Sequence, residues 1–375
     1  MVQTHPLDLH EIRSRIASSL GLQDLASCAR VSQDWKESFT PPLYNSVVLS
    51  KHGPSMESVE NNKRLIQSLM IQSSAYESLS STSERDKVIS SVMANPVLTT
   101  LILGENLIGD SGAEALSEGL KANSTLTTLN LQFNSIGDSG AEALSEALKT
   151  NSALTTLDLY NNSIGPNGAK ALSEALKINS TLTTLGLGDN SIEENGAQAL
   201  SEALKINSTL TTLNLSIWSS YPIGDNGAQA LSKALKINST LTTLNLGGNS
   251  IGPNGAKALS EALKTNSTLT TLNLSIWSSY SIGDSGAEAL SEALKINSTL
   301  TTLDLGGNSI GPSGAQALSE ALKTNSTLTT LDLGGNSIGD NGAQALSEAL
   351  KTNSTLTTLD LLGWSSDPIG DNGAV

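Results

Sequence analysis

Aromatic residues are scarce in this chain: Phe, Trp and Tyr make up 3% of 375 residues. A core must therefore come from Leu, Ile, Val and Ala. The single cysteine, Cys28, excludes an intrachain disulfide framework. The only histidines are His5, His10 and His52, and no Cys/His cluster has metal-ligand spacing. No Ser-His-acid or Cys-His constellation can be assembled either, so no enzyme, metal or cofactor is expected. Basic residues are outnumbered 21 to 36, for a net charge of −15. That balance argues against nucleic-acid binding, which needs clustered Lys and Arg, and favours a basic partner. No apolar run approaches the roughly 20 residues of a membrane span. The opening MVQTHPLDLHEIRSR lacks the apolar stretch of a secretory signal. The expected compartment is cytoplasm or nucleus. The eight Asn-Ser-Thr triplets, such as those at Asn123, Asn179 and Asn325, then read as parts of a repeat rather than glycan acceptors.

What the chain has in abundance is one sentence, LTTLNLGGNSIGPNGAKALSEALKTNST, and its variants. Its first leucine falls at Leu98, Leu126, Leu154, Leu182, Leu210, Leu241, Leu269, Leu300, Leu328 and Leu356, in steps of 28 residues except for two of 31. Within one unit, Leu129 and Leu131 alternate as a short strand requires. Ala141, Leu144 and Leu148 follow at i, i+3 and i+7, the stripe of a helix. Glu142 and Glu146 precede Lys149, matching the helix dipole. A single strand–turn–helix unit cannot bury its own apolar face, whereas stacked units can. Each framework leucine should then contribute roughly 1.5–3 kcal/mol. The small Ala141 and Ala147 are expected to let the helix approach the strand layer.

This pattern resembles the leucine-rich repeat, L-x-x-L-x-L-x-x-N-x-L, and its 28-residue form resembles the ribonuclease-inhibitor (RNI-like) subtype. The resemblance implies an α/β solenoid: a horseshoe with a concave parallel sheet and helices outside. The repeat asparagine appears as Asn106, Asn134, Asn162, Asn190, Asn249, Asn308 and Asn336, expected to bond backbone groups of adjacent coils. Three variants, SIWSSYPIG from Ser216, SIWSSYSIG from Ser275 and LGWSSDPIG from Leu362, carry three extra residues and a tryptophan. Counting back from the following isoleucine, Tyr221, Tyr280 and Asp367 take the asparagine's place.

Three regions are expected: a helical unit over 1–45, a degenerate capping repeat or linker over 46–97, and about ten repeats of 28–31 residues over 98–375, the last incomplete. IQSLMI at 66–71 and YNSVVL at 44–49 read as strands, KVISSVMANPVL as a helix and its exit, and the Ser-rich stretch from Ser73 to Glu84 as a loop. The chain stops at GDNGAV, where a tenth helix should begin. Either the sequence is truncated, or that edge self-associates with another chain.

In the leading segment Ile12, Ile16 and Leu20 share a helical face, and Asp24 is placed to start a second helix. A third ends before Pro41 and Pro42. The run Glu11, Ile12, Ile16, Leu20, Asp24, Leu25, Val31, Trp35 resembles the F-box, with Leu9-His10 where that family has Leu-Pro. The resemblance implies that a small all-α unit binds the Skp-type adaptor of a cullin ubiquitin ligase through Leu9, Ile12, Ile16, Leu20, Leu25, Val31 and Trp35. The alternative is a helical cap that shields the first coil.

The expected function is a non-enzymatic protein-interaction adaptor, an F-box substrate receptor whose repeats present an unknown target. Other readings are a recognition scaffold with no ligase role, or a protein similar to the Ran GTPase activator. The open face reads Thr, then Asn or Asp, then Gly or Ser, which is poor in hot-spot residues. Partner-binding candidates are therefore the breaks in that monotony. They are the pair Phe133 and Tyr160, a rim carrying Trp218, Tyr221, Trp277, Tyr280 and Trp364, and an acidic row of Asp304, Asp332 and Asp360. Each Trp has a structural alternative, folding back to plug its own enlarged loop.

Overall fold

The computed structural model describes residues 45–50, 56–76, 82–218, 221–276 and 280–362. Twelve parallel strands form one sheet in strict chain order, from β1 (Ser46–Leu49) and β2 (Ser68–Ile71) to β12 (Thr358–Asp360). From β3 (Thr100–Ile102) onward each strand is three residues long, and equivalent residues of successive coils pair, as in Thr302 with Thr330. Leu129 and Leu131 are fully buried while Thr128 and Asn130 are half-buried on the open face, as their alternation requires. The first threonine of each LTTL also has a task. The Thr127 hydroxyl and the amides of Thr127 and Thr128 all donate to the Thr99 carbonyl at 2.8–3.0 Å. The same clamp recurs in every later coil, ending at Thr357 on Thr329.

Each regular coil returns through a helix, for example Asp138–Leu148, whose Ala141, Leu144 and Leu148 are buried. Lys149 caps its C-terminus and pairs with Glu146. Ala141 serves a different contact from the one expected. A Cβ added to Gly168 of the next helix would lie 3.0 Å from the Ala141 methyl, so alanine and glycine set helix against helix. Strands in a sheet lie about 4.8 Å apart, whereas packed helices need roughly 8–10 Å. A stack with both spacings must bend, with the sheet inside.

Two asparagine ladders hold the coils. In the first, Asn134 donates from Nδ2 to Leu103 O (2.8 Å), and its Oδ1 accepts the amides of Asn106 (2.9 Å) and Ile108 (3.2 Å). Asn106, Asn190, Asn249, Asn308 and Asn336 are likewise buried, and Asn162 is half-buried. Tyr221 and Tyr280, assigned to the same place by counting, stand outside this ladder with about half their surface in solvent. The second ladder was not expected. Asn179 of an Asn-Ser-Thr triplet donates from Nδ2 to Leu148 O (2.8 Å) and Asn151 O (3.2 Å) and accepts from Thr181 and Leu182. Asn207, Asn238, Asn266, Asn297 and Asn325 repeat it. The nitrogen a glycan would occupy is thus bonded inside the fold.

Carboxylates add a third connection between some neighbouring coils. Asp284 Oδ1 accepts the amides of Gly311 (2.7 Å) and Gly314 (2.8 Å) in the following coil, an N-cap supplied from outside the helix. Asp110, Asp138 and Asp225 do the same. Where the preceding coil has proline at this position, the following residue turns left-handed instead: Gly283 after Pro253 (φ 60°) and Gly339 after Pro312 (φ 60°).

Strands β1 and β2 extend the sheet before the regular repeats, within the two stretches read as strands. The Ser-rich stretch expected as a loop is partly helical: Ser73–Tyr76 form a turn of helix, and Thr82–Met93 starts inside it. At the other edge, Leu356, Leu359 and Leu361 are only half-buried. The F-box-like residues, Trp277, Trp364, Asp367 and the final GDNGAV lie outside the described residues. Among the described residues, no helix is long and apolar enough to cross a membrane.

Candidate functional site

One backbone position at the strand exits distinguishes the coils. Seven residues after the first leucine of the four earliest regular coils, the chain turns left-handed at Glu105 (φ 62°), Phe133 (φ 56°), Asn161 (φ 50°) and Asp189 (φ 49°). Later coils use Gly248, Gly307 and Gly335 there, as sterics favour. The amides at this position continue the sheet ladder, Phe133 N donating to Tyr160 O at 3.0 Å and Asp189 N to Ser216 O at 2.7 Å. The left-handed position therefore carries a side chain in the four earlier coils and none in the coils of Gly248, Gly307 and Gly335.

Tyr160, one residue before that position in its coil, joins two of these side chains. The rings of Phe133 and Tyr160 lie edge to face at 5.6 Å and 67°, a favourable aromatic geometry. Tyr160 lies over Gly188, where an added Cβ would sit 2.9 Å from the ring. Its hydroxyl donates to Asp189, whose other oxygen accepts the Trp218 amide at 2.6 Å. Asp158 takes the Gln132 amide and the Tyr160 backbone N–H. Phe133, Tyr160, Asp189 and Trp218 thus form one band across four coils. Sequence reasoning placed the aromatics in two separate regions and missed Asp189. The available signal was an acid at a position where other coils carry glycine.

Burial, and then the hydrogen bond and charge of Asp189, push the Tyr160 phenol up to about 12. The neutral phenol is therefore the favoured folded form, and this contribution to stability is present below pH 10 and fades between about 10 and 12. Subtracting the ultraviolet titration of Tyr160→Phe from that of the parent should show a phenol ionising near 12. Asp189→Asn should move it back toward the ordinary value. A normal titration in the parent would show the bond to be absent.

Trp218, the described tryptophan of this rim, does not fold inward: it is 63% exposed, while Ile217 beside it is 2% exposed. Tyr221 is exposed. Tyr280 reaches across Gly252 to donate to Asp225 Oδ2 at 2.9 Å, tying coils two apart. Asp304, Asp332 and Asp360 stand in register on adjacent strands. Their carboxylates accept the amides of Gly306, Gly334 and Leu362. Burial foremost, with the charges of Asp332 and Asp360, raises the Asp304 carboxyl.

Where β2, β3 and the following strand Thr128–Asn130 end, a pocket of about 380 Å³ opens on this rim. Its walls include Met70, Ile102, Gly104, Glu105, Gln132 and Phe133. Among the described residues no group of three or more His, Cys, Asp or Glu is placed to hold a metal.

Seven segments, residues 94–117, 122–145, 150–173, 179–201, 238–260, 297–319 and 324–347, match the family described as Leucine Rich repeat. The coils skipped between 201 and 238 and between 260 and 297 are the two with inserted residues. No curated protein matches the chain. Among solved structures it is similar to Leiomodin-1 actin-binding site 2, with 25% identity and a TM-score of 0.33 over 41% of this chain and 86% of that one.

Proposed function

We propose that this leucine-rich-repeat solenoid is the target-holding part of an adaptor, with residues 9–39 docking it on a Skp-type protein of a cullin ubiquitin ligase. Leucine-rich repeats imply a protein-interaction scaffold. The observation that carries the reading here is the band from Phe133 to Trp218, where aromatic surface is concentrated in a chain with few aromatics. Exposed aromatic side chains of this kind are the groups that become buried anchors when a partner docks. The ligase half is supported by the spacing from Glu11 to Trp35, and a helix in each regular coil supports the ribonuclease-inhibitor-like subtype.

The full chain should co-purify with a Skp-type protein, and Trp35→Ala or Ile16→Asp should abolish this. Phe133→Ala combined with Trp218→Ala should release captured targets while leaving the Skp-type protein bound. If the chain ignores a Skp-type protein that a known F-box binds under the same conditions, the ligase role falls and the scaffold remains.

A further inference from the structure

We propose that the pocket between Met70 and Phe133 receives a cationic side chain, arginine or lysine, from the bound protein. The inference rests on the protein-binding reading and names the chemistry recognised at one point of it.

Charge and shape both point this way. Of the side chains lining the pocket, Glu105 alone is ionisable as an acid and none is basic. Glu105 is exposed and has no ion pair among the described residues. Phe133 is 42% exposed, so an aromatic ring stands on the same rim as the carboxylate, the pairing that favours a cation over a neutral apolar group. Behind the wall, Asn106 spans the carbonyls of Ile71 (2.7 Å) and Gly104 (2.8 Å), and its own Oδ1 is buried with no partner among the described residues. Gln72, Asn130 and Gln132 add side-chain amide oxygens to the lining, acceptors that a guanidinium or ammonium, which only donates, can use.

The backbone supplies an independent argument. Glu105 and Phe133 both sit at the left-handed position that glycine fills in later coils. Holding a side chain there is strained, and residues kept in such conformations cluster at ligand clamps.

The chain contains two phenylalanines, Phe39 and Phe133, so the full protein grown with 4-fluorophenylalanine should give two fluorine resonances, assigned by the loss of one in Phe133→Leu. Titration with Nα-acetyl-arginine amide should move the Phe133 resonance to saturation, with Nα-acetyl-lysine amide also effective. The norleucine and glutamate amides should bind about tenfold more weakly or not at all. Glu105→Gln should weaken the arginine response about threefold to fivefold, the scale of one partly exposed ion pair. No saturable movement with either cation, equal response to norleucine, or an unchanged response in Glu105→Gln would each overturn the assignment. Because the probes are small molecules, failure here leaves target capture through the rest of the rim standing. Failure of target capture would likewise leave a positive titration standing.

Discussion

Gly248→Ala should lose about 4 kcal/mol or more of unfolding free energy, a cost that single substitutions seldom reach. Gly224→Ala should lose only about 1 kcal/mol. Both glycines are left-handed, at φ 78° and 62°, so both variants incur the dihedral penalty. They differ in what surrounds them. A Cβ at Gly248 would lie 1.6 Å from the Ile217 carbonyl oxygen, whereas one at Gly224 meets nothing within 4 Å. The obstacle is backbone, not a side-chain tip that could swing aside. It is fixed because Ile217 N donates to Gly247 O at 2.8 Å and the Ile217 side chain is buried. Urea unfolding of the two variants side by side decides the matter. Equal, small losses would show that the enlarged loop yields freely.

Leu272→Ala should cost roughly 2–5 kcal/mol, the usual range for an emptied leucine site in a rigid core. Leu359→Ala, the same repeat position in β12, should cost about a third of that, because its side chain is only partly buried. Leu272 is fully buried between two complete coils. A stack held only by nearest neighbours also predicts a change in the shape of unfolding. Leu272→Ala should broaden the denaturant transition or split it, while Leu359→Ala should leave it single. Identical losses at both sites would contradict the nearest-neighbour description.

The repeat was legible because each framework residue meets the same residue one coil away, so period alone fixes the partner. Leu129 over Leu157 and Thr302 beside Thr330 follow from counting. The inserted loops broke that logic. Counting back put Tyr221 and Tyr280 in the asparagine ladder, but both rings are exposed, and the Tyr280 hydroxyl donates to Asp225 instead. Ile217 is buried while Trp218 beside it stays exposed, so in this coil the aliphatic side chain and not the aromatic one leaves solvent. Asp189 escaped notice because its role depends on two partners, from the coils before and after, converging on one carboxylate. The triplet asparagines were recognised as parts of the repeat, yet their ladder lies in helix-end carbonyls that no sequence period displays.

The carboxylate caps divide the array unequally. Asp225 fastens coil 210 to coil 241, and Asp284 fastens coil 269 to coil 300, while the junctions that follow Pro253 and Pro312 lack such a tie. In this stretch strong and weak seams alternate, so the chain should open in paired blocks rather than one turn at a time. A load pulling along this stretch would find its first tear at the joint after Pro253 or after Pro312.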